Sequence, residues 1–334
     1  MRSPRRSGIG NALFLQLNRA LLITGLALLL PEVATAQAWP SRPVRMVVPS
    51  SPGGGLDSLA RILTARLTEI WGQPIVLDNK PGANFIIGTD AVAKASPDGY
   101  TLLYVPSPAL TTNPVVISNL PYNPLRDLIP LSVLTQSPFV LLVNNDVPAK
   151  SIPELLAYLR ANPGKLNHGS NSASTRLVSE LFKSLAKVEY VEINYKGGAQ
   201  SAMSTASGET QLSFVDAATS TALSQAGRVR AMAVTTPQRY KLRPEIPTLD
   251  EAGVPGYAST GWTVVLAPAK TAPEIVSKIS ADLRRVIALP EVTQRIEAVG
   301  NEVLGSTPEE SLQMLRAETE KWARLVNERN IRFQ

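Results

Sequence analysis

The sequence predicts an α/β protein of two lobes, with mixed sheets flanked by helices and two crossovers enclosing a hinged cleft. Three observations carry this. The chain has 334 residues, which is two domains at roughly 100–200 residues each. Its composition, 44% hydrophobic and 18% charged, is globular. From residue 44 onward, short β-branched runs alternate with stretches whose apolar residues recur at helical spacing, the rhythm of a sheet with crossover helices.

The first 38 residues stand apart. Arg2, Arg5, Arg6 and Arg19 precede or flank an apolar run, Ala20 to Leu30, that is too short to span a bilayer. Ala34-Thr35-Ala36 and Ala36-Gln37-Ala38 are small-x-small cleavage patterns, so the segment reads as a secretory signal peptide cut near Ala36 or Ala38. Its four arginines and Glu32 account for half of the net charge of +6, leaving +3 on the rest. That excess, without a basic run or interleaved aromatics, gives no footprint for nucleic acid. No later apolar run reaches 18 residues, so a soluble protein of the periplasm is expected.

The elements follow in order. Val44 to Val48 is a strand ending at Pro49, and Gly53-Gly54-Gly55 is a turn. Leu59, Ile62, Leu63, Leu67, Ile70 and Trp71 then share one helical face, which Gly72 and Pro74 end. Ile75 to Leu77 is a strand, Ile87 to Lys94 a helix and Thr101 to Val105 a third strand. Prolines cluster from Pro106 to Pro138, with strand-like runs at Leu131 to Thr135 and Phe139 to Asn144, and the first crossover is placed here. Ser151 caps a helix to Ala161. Leu177, Leu181 and Leu185 mark the next helix, and β-rich runs at Tyr190–Ile193, Leu212–Val215 and Ala231–Val234 follow. Trp262 to Ala267 is a late strand. One helix carries Ile275, Ile279, Leu283, Val286 and Ile287, and the last carries Leu312, Leu315, Trp322 and Val326. Lobe 1 is assigned residues 39–138 and 262–334, and lobe 2 residues 139–261.

Composition excludes whole classes of chemistry. There is no cysteine, hence no disulfide, thiol nucleophile or cysteine-ligated metal. The one histidine, His168, rules out a multi-histidine metal site. No metal and no cofactor are expected.

Two loops could carry function. Ser50, Ser51, Gly53, Gly54, Gly55 and Asp57 lie between a strand and a helix. Glycines allow close approach of backbone N–H groups, and the helix start behind them favours an anion. The alternative is a tight turn that Asp57 caps. Neither a Walker motif nor a dinucleotide fingerprint is present. The second loop, Gly169 to Thr175, offers Ser170, Asn171 and Ser174 ahead of another helix. Asp216 ends an apolar strand and either faces the cleft or caps a turn. His168 beside Ser170 raises a hydrolase reading, against which no Gly-x-Ser-x-Gly elbow is found.

The chain resembles the Bug family, the substrate-binding receptors of tripartite tricarboxylate transporters. The resemblance covers nearly all of the chain after residue 38. It rests on Trp39-Pro40-Ser41-Arg42-Pro43, the Pro-Gly-Gly loop to Asp57, Gly72-Gln73-Pro74, Asn79-Lys80-Pro81-Gly82-Ala83, Pro97-Asp98-Gly99-Tyr100-Thr101, Leu120-Pro121-Tyr122-Asn123-Pro124, Tyr195-Lys196-Gly197, Pro247-Thr248 and Glu251-Ala252-Gly253, all in register. It implies a periplasmic binding protein of the type 2 flytrap kind, not an enzyme. Its ligand would be a small organic carboxylate, its partners integral membrane permease subunits, and its state a monomer. A ligand sensor that signals to a membrane kinase is an alternative. By position the resemblance adds Ser107, Ala109 and Leu110 to the contacts of the first lobe, and supports Ser170, Asn171, Ser174 and Asp216 from the second. The chain departs from the family pattern at Ser50, Leu56, Asn84-Phe85-Ile86, Ala109-Leu110, Ser172-Ala173 and Arg176. These departures remove hydroxyls and an aromatic residue, which predicts an atypical, partly apolar ligand.

Overall fold

The computed structural model describes residues 39–332. The signal-peptide reading falls on residues outside that range. The compact unit from Arg42 onward contains two sheets that share one long strand.

In the first sheet, β1 (Val44–Val48) pairs in parallel with β2 (Ile75–Asn79) and β3 (Thr101–Pro106). The helices α1 (Gly55–Trp71) and α2 (Ile86–Ala93) make the crossovers between them. Helix α1 forms where the apolar spacing places it: Leu59, Ile62, Leu63, Leu67 and Trp71 are buried, and Gly72 ends it at φ 61°. Two one-turn helices, α3 (Pro108–Thr111) and α4 (Asn113–Val116), follow β3. After α5 (Pro124–Asp127) comes β4 (Leu128–Asn144), 17 residues long.

Sequence reading splits β4 into two strands because prolines break ladders. It is one strand serving two sheets. Its first part pairs antiparallel with β9 (Thr260–Pro268), down to Pro138 opposite Thr260. From Phe139 it pairs with β7 (Leu212–Asp216) and β8 (Val229–Val234) of the second sheet. Pro130 sits beside a register shift and Pro138 at the exchange of partners, positions where a missing N–H disturbs least. The second sheet is completed by β5 (Asn167–Ser170) and β6 (Val191–Asn194), both parallel to β7 or to one another. Both sheets are therefore mixed.

Helices α6 (Ile152–Ala161), α7 (Ala173–Ala186), α8 (Gly198–Ser207) and α9 (Ala217–Gln225) cover the second sheet. The periodicity read on α7 fails at one place. Leu177 and Leu181 are buried but Leu185 is exposed, while Ser179, Glu180 and Lys183 are buried in a polar network. The helices α10 (Pro273–Ile287) and α11 (Pro290–Glu297) and the short β10 (Glu302–Val303) return to the first sheet.

The last helix, α12 (Pro308–Glu328), is the longest among the described residues. Leu315 packs with Val47, Leu103, Val133 and Leu266 of the first lobe. Trp322 and Leu325 pack with Leu177, Phe182 and Phe214 of the second. This helix thus packs in both cores. Among the described residues no helix is long and apolar enough to cross a membrane.

Candidate functional site

Where the two sheets exchange strands, the chain leaves a cleft. A cavity of about 340 Å³ is lined from the first lobe by Asn84, Phe85, Pro106, Pro108, Thr112 and Asn113. From the second lobe it is lined by Phe139, Asn171 to Thr175, Gly198, Val215 and Asp216. A chamber of about 180 Å³ adjoins it, sharing Pro106, Pro108, Thr112, Phe139 and Ser174. The strand exchange itself, through Ser137, Ser259, Thr260 and Gly261, forms part of the chamber wall, and Trp262, Glu318 and Trp322 complete it.

The expected site residues divide into groups. Asn171, Ser174 and Asp216 line the cleft, and Ser107 lines the chamber. Asp216 also caps α9, accepting from the Thr219 N–H and hydroxyl at 2.9 and 2.7 Å. Ser170 lies behind the wall, fully buried, and donates to Asn194 at 2.8 Å. Ala109 and Leu110 lie elsewhere. They belong to the first lobe's hydrophobic core and line neither cavity, because α3 turns them inward.

None of Ser50, Ser51, Gly53, Gly54, Gly55 and Asp57 lines either cavity; the glycine-rich loop connects to the cleft through its neighbours. The Ser50 carbonyl accepts from Asn79, and Pro49 packs on Gly88, whose segment carries Asn84 and Phe85 into the cleft. Ser51, Gly53, Gly54 and Gly55 are exposed, whereas the Ser50 hydroxyl is buried without a hydrogen-bond partner. Asp57 is 1% exposed, and its carboxylate accepts from the Gly53 N–H, Asn79 and Arg61. The Arg61 guanidinium, helped by Gly53 and Asn79 against burial, holds this carboxyl below its ordinary value. Asp57 is therefore the clamp that shapes the loop and is not free to take a ligand. No side chain caps α1, so its first-turn N–H groups are open to an anion.

The second loop is built differently. Ser172 caps α7 in a reciprocal box with Thr175: the Thr175 N–H donates to the Ser172 hydroxyl at 3.2 Å, and the Ser172 N–H to the Thr175 hydroxyl at 3.1 Å. The Asn171 N–H also goes to Thr175. The Asn171 amide stands over Gly198, where a Cβ would lie 3.7 Å from it.

Phe85 was not among the expected contacts, yet it lines the cleft. Ala83, Asn84 and Phe85 run through φ of 47°, 52° and 72°, a left-handed stretch without a glycine. The Asn84 carbonyl accepts from Asn113 and the Phe85 carbonyl from Thr89, both at 2.8 Å. The departure from the family pattern at Asn84-Phe85-Ile86 is the signal that pointed here. Glu318 and Trp322 were missed as well.

His168 does not serve Ser170. It is fully buried; its Nε2 accepts from the Phe214 N–H at 3.2 Å and its Nδ1 faces Glu192 at 2.9 Å. Both ring nitrogens are occupied, so no general base is available beside the serine. Burial pushes Glu192 up, but His168, Ser179 and Lys183 overcome it and hold the carboxyl below its ordinary value. Among the described residues no group of acidic or histidine side chains could hold a metal ion.

Two lobes around a wall of hydroxyls, amides and aromatic rings define the class: a solute-binding protein. A family model described as the tripartite tricarboxylate transporter family receptor matches residues 59–331, and the chain belongs to that family, the Bug receptors, which bind and do not catalyse. It is 35% identical over 320 residues to the UPF0065 protein in the tcbD-tcbE intergenic region of Pseudomonas sp. (strain P51), covering 93% of this chain and 95% of that one. It is 30% identical over 320 residues to Protein BugT of Bordetella pertussis, covering 94% and 98%. Among solved structures it matches R. palustris Rpa4515 with adipate at 34% identity and a TM-score of 0.74, covering 86% and 97%.

Proposed function

We propose that this chain is a periplasmic receptor, exported by a cleaved signal peptide, that binds one small organic carboxylate in the interlobe cleft and delivers it, as a monomer, to integral membrane permease subunits. The bare N-terminus of α1 carries the reading. Its open N–H groups supply the partial positive charge that a carboxylate needs, and the clamp at Asp57 holds them in place. The walls of the cleft and chamber include no lysine, arginine or histidine, and Arg176 and Arg332 line a separate cavity that shares Asn84, Asn171, Ser172 and Ala173 with the cleft, so the reading gives the carboxylate to backbone donors of α1. The ligand's body then lies against Phe85 and Phe139, with Asn171, Ser174 and Ser107 as polar contacts. Closure turns on the two crossings near Pro138 and Thr260, and family membership supports both the receptor role and the relatives' acidic ligands.

A thermal-shift screen of protein refolded to strip carried-over ligand tests this. A ligand at a hundred times its Kd adds about 2.7 kcal/mol. Stabilisation by tri-, di- or monocarboxylates supports the reading, and silence across organic acids of every class overturns it. Capture of a permease subunit or of a sensor kinase by the loaded protein separates transport from signalling.

A further inference from the structure

The chamber behind the cleft has a character of its own. At about 180 Å³ it far exceeds the roughly 10–15 Å³ that one water needs. Its walls are apolar or hydroxyl-bearing, apart from Asn301 and one ionisable side chain, Glu318. That carboxyl receives the Trp262 indole N–H on one oxygen and the Trp322 indole N–H, at 3.3 Å, on the other. A carboxylate has about four acceptor positions, so the two indoles leave capacity toward the chamber. Glu318 keeps partial accessibility although protein surrounds it, because it lines this space.

The neighbouring cation does not compensate. Lys321 is absent from both cavity walls; its ammonium donates to the Ala258 carbonyl at 3.0 Å and stands 4.3 Å from the Trp322 ring centre. Burial pushes Glu318 above its ordinary value, against Lys321 and the two indoles, and burial likewise pushes Lys321 down. The cleft and chamber walls together present two acidic side chains, Glu318 and Asp216, and no cationic one.

Resting on the receptor reading above, we infer that the chamber is the subsite for the far end of the ligand, and that Glu318 makes it select a hydrogen-bond donor there, an ammonium or a hydroxyl, over a second carboxylate. An ammonium pairs with the carboxylate, and a hydroxyl donates to it. A second carboxylate would be buried against a group of like kind with no cation on the chamber wall and Lys321 already turned to the Ala258 carbonyl, which is costly unless one of the two takes a proton. Glu318 is thus a specificity-determining residue within a family that includes an adipate-bound member.

Six-carbon acids that differ only at the far end test this: adipate, hexanoate, 6-hydroxyhexanoate and 6-aminohexanoate, titrated calorimetrically at pH 7 into stripped protein. The expected result is that the hydroxy and amino acids bind at least tenfold tighter than adipate. In Glu318→Gln the ratio of 6-aminohexanoate to adipate affinity falls at least tenfold, and the wild-type ratio stands by itself if that variant does not fold. Adipate binding as tightly as its donor-ended matches, or a ratio unchanged in folded Glu318→Gln, overturns the inference while leaving the carboxylate receptor intact. Silence here and across the wider organic-acid screen overturns both.

Discussion

The two candidate loops begin helices of similar length but end in opposite states. Helix α1, 17 residues long, starts at Gly54 without a side-chain cap; α7, 14 residues long, starts at Ser172 inside a complete capping box. The first loop gives its Gly53 and Gly54 N–H groups to Asp57 and the Ser51 carbonyl but leaves the first turn of α1 without a side-chain cap. The second spends its donors on itself and offers side chains. An anion gains most where N–H groups are unspent, so the account gives the carboxylate to lobe 1 and the shape of the pocket to lobe 2.

The supports beneath the loops differ in the same sense, and substitution should expose it. Under the second loop, Glu192 is the shared partner of His168, Ser179 and Lys183, all buried. Replacing it in Glu192→Ala leaves buried polar groups unpaired and is expected to cost about 3–5 kcal/mol, read from urea unfolding, with ligand affinity changed less than threefold. Under the first loop, Asp57→Ala should cost less, about 1–3 kcal/mol, because Arg61 is 58% exposed and solvent screens the pair. Its affinity should nevertheless fall about tenfold as the Gly53 turn loosens. Equal losses of affinity in the two variants would break the division of labour.

Acid titration sharpens the same contrast. The Glu192 carboxyl lies below its ordinary value of 4.5 in the folded state. Its contribution is present above pH 4.5 and is lost as pH falls through the folded value, because the unfolded chain takes the proton first. Unfolding curves from pH 6 to 3 should show this loss in the wild type and a smaller one in Glu192→Gln.

The sequence made some of this legible and hid the rest for physical reasons. The α1 loop was readable because its parts are contiguous: a strand, three glycines and a helical face. The capping box from Ser172 to Thr175 is equally local, yet in sequence that loop stands out only as a row of polar side chains ahead of a helix. The chamber was not, since Trp262, Glu318 and Trp322 meet only after β9 and α12 fold together. Ala109 and Leu110 were carried over by position, and nothing local announces that α3 turns them into the core. Strand β4 was divided in reading because Pro130 and Pro138 resemble breaks, while the fold uses them at a register shift and a change of partners. Leu185 kept the apolar spacing of α7, yet the buried positions there hold Ser179, Glu180 and Lys183. Phe85 stands at φ 72° where a glycine would relax the backbone. Phe85→Gly should therefore leave stability within about 1 kcal/mol, as relieved strain offsets lost burial, while affinity for an apolar-bodied acid drops roughly fivefold by calorimetry.

The claim that backbone N–H groups of α1 hold the carboxylate can be tested by deleting one of them. Gly55 is the first helical residue, a Cβ there meets nothing within 4 Å, and Gly54 before it is extended at φ −74° and ψ 168°. Proline is accepted at that position and removes a single N–H. Calorimetric titration of Gly55→Pro with the tightest acid from the screen should show affinity at least tenfold weaker, the worth of one hydrogen bond to a charged group, with a Tm equal to or above the wild type. Unchanged affinity in that folded variant would contradict the account.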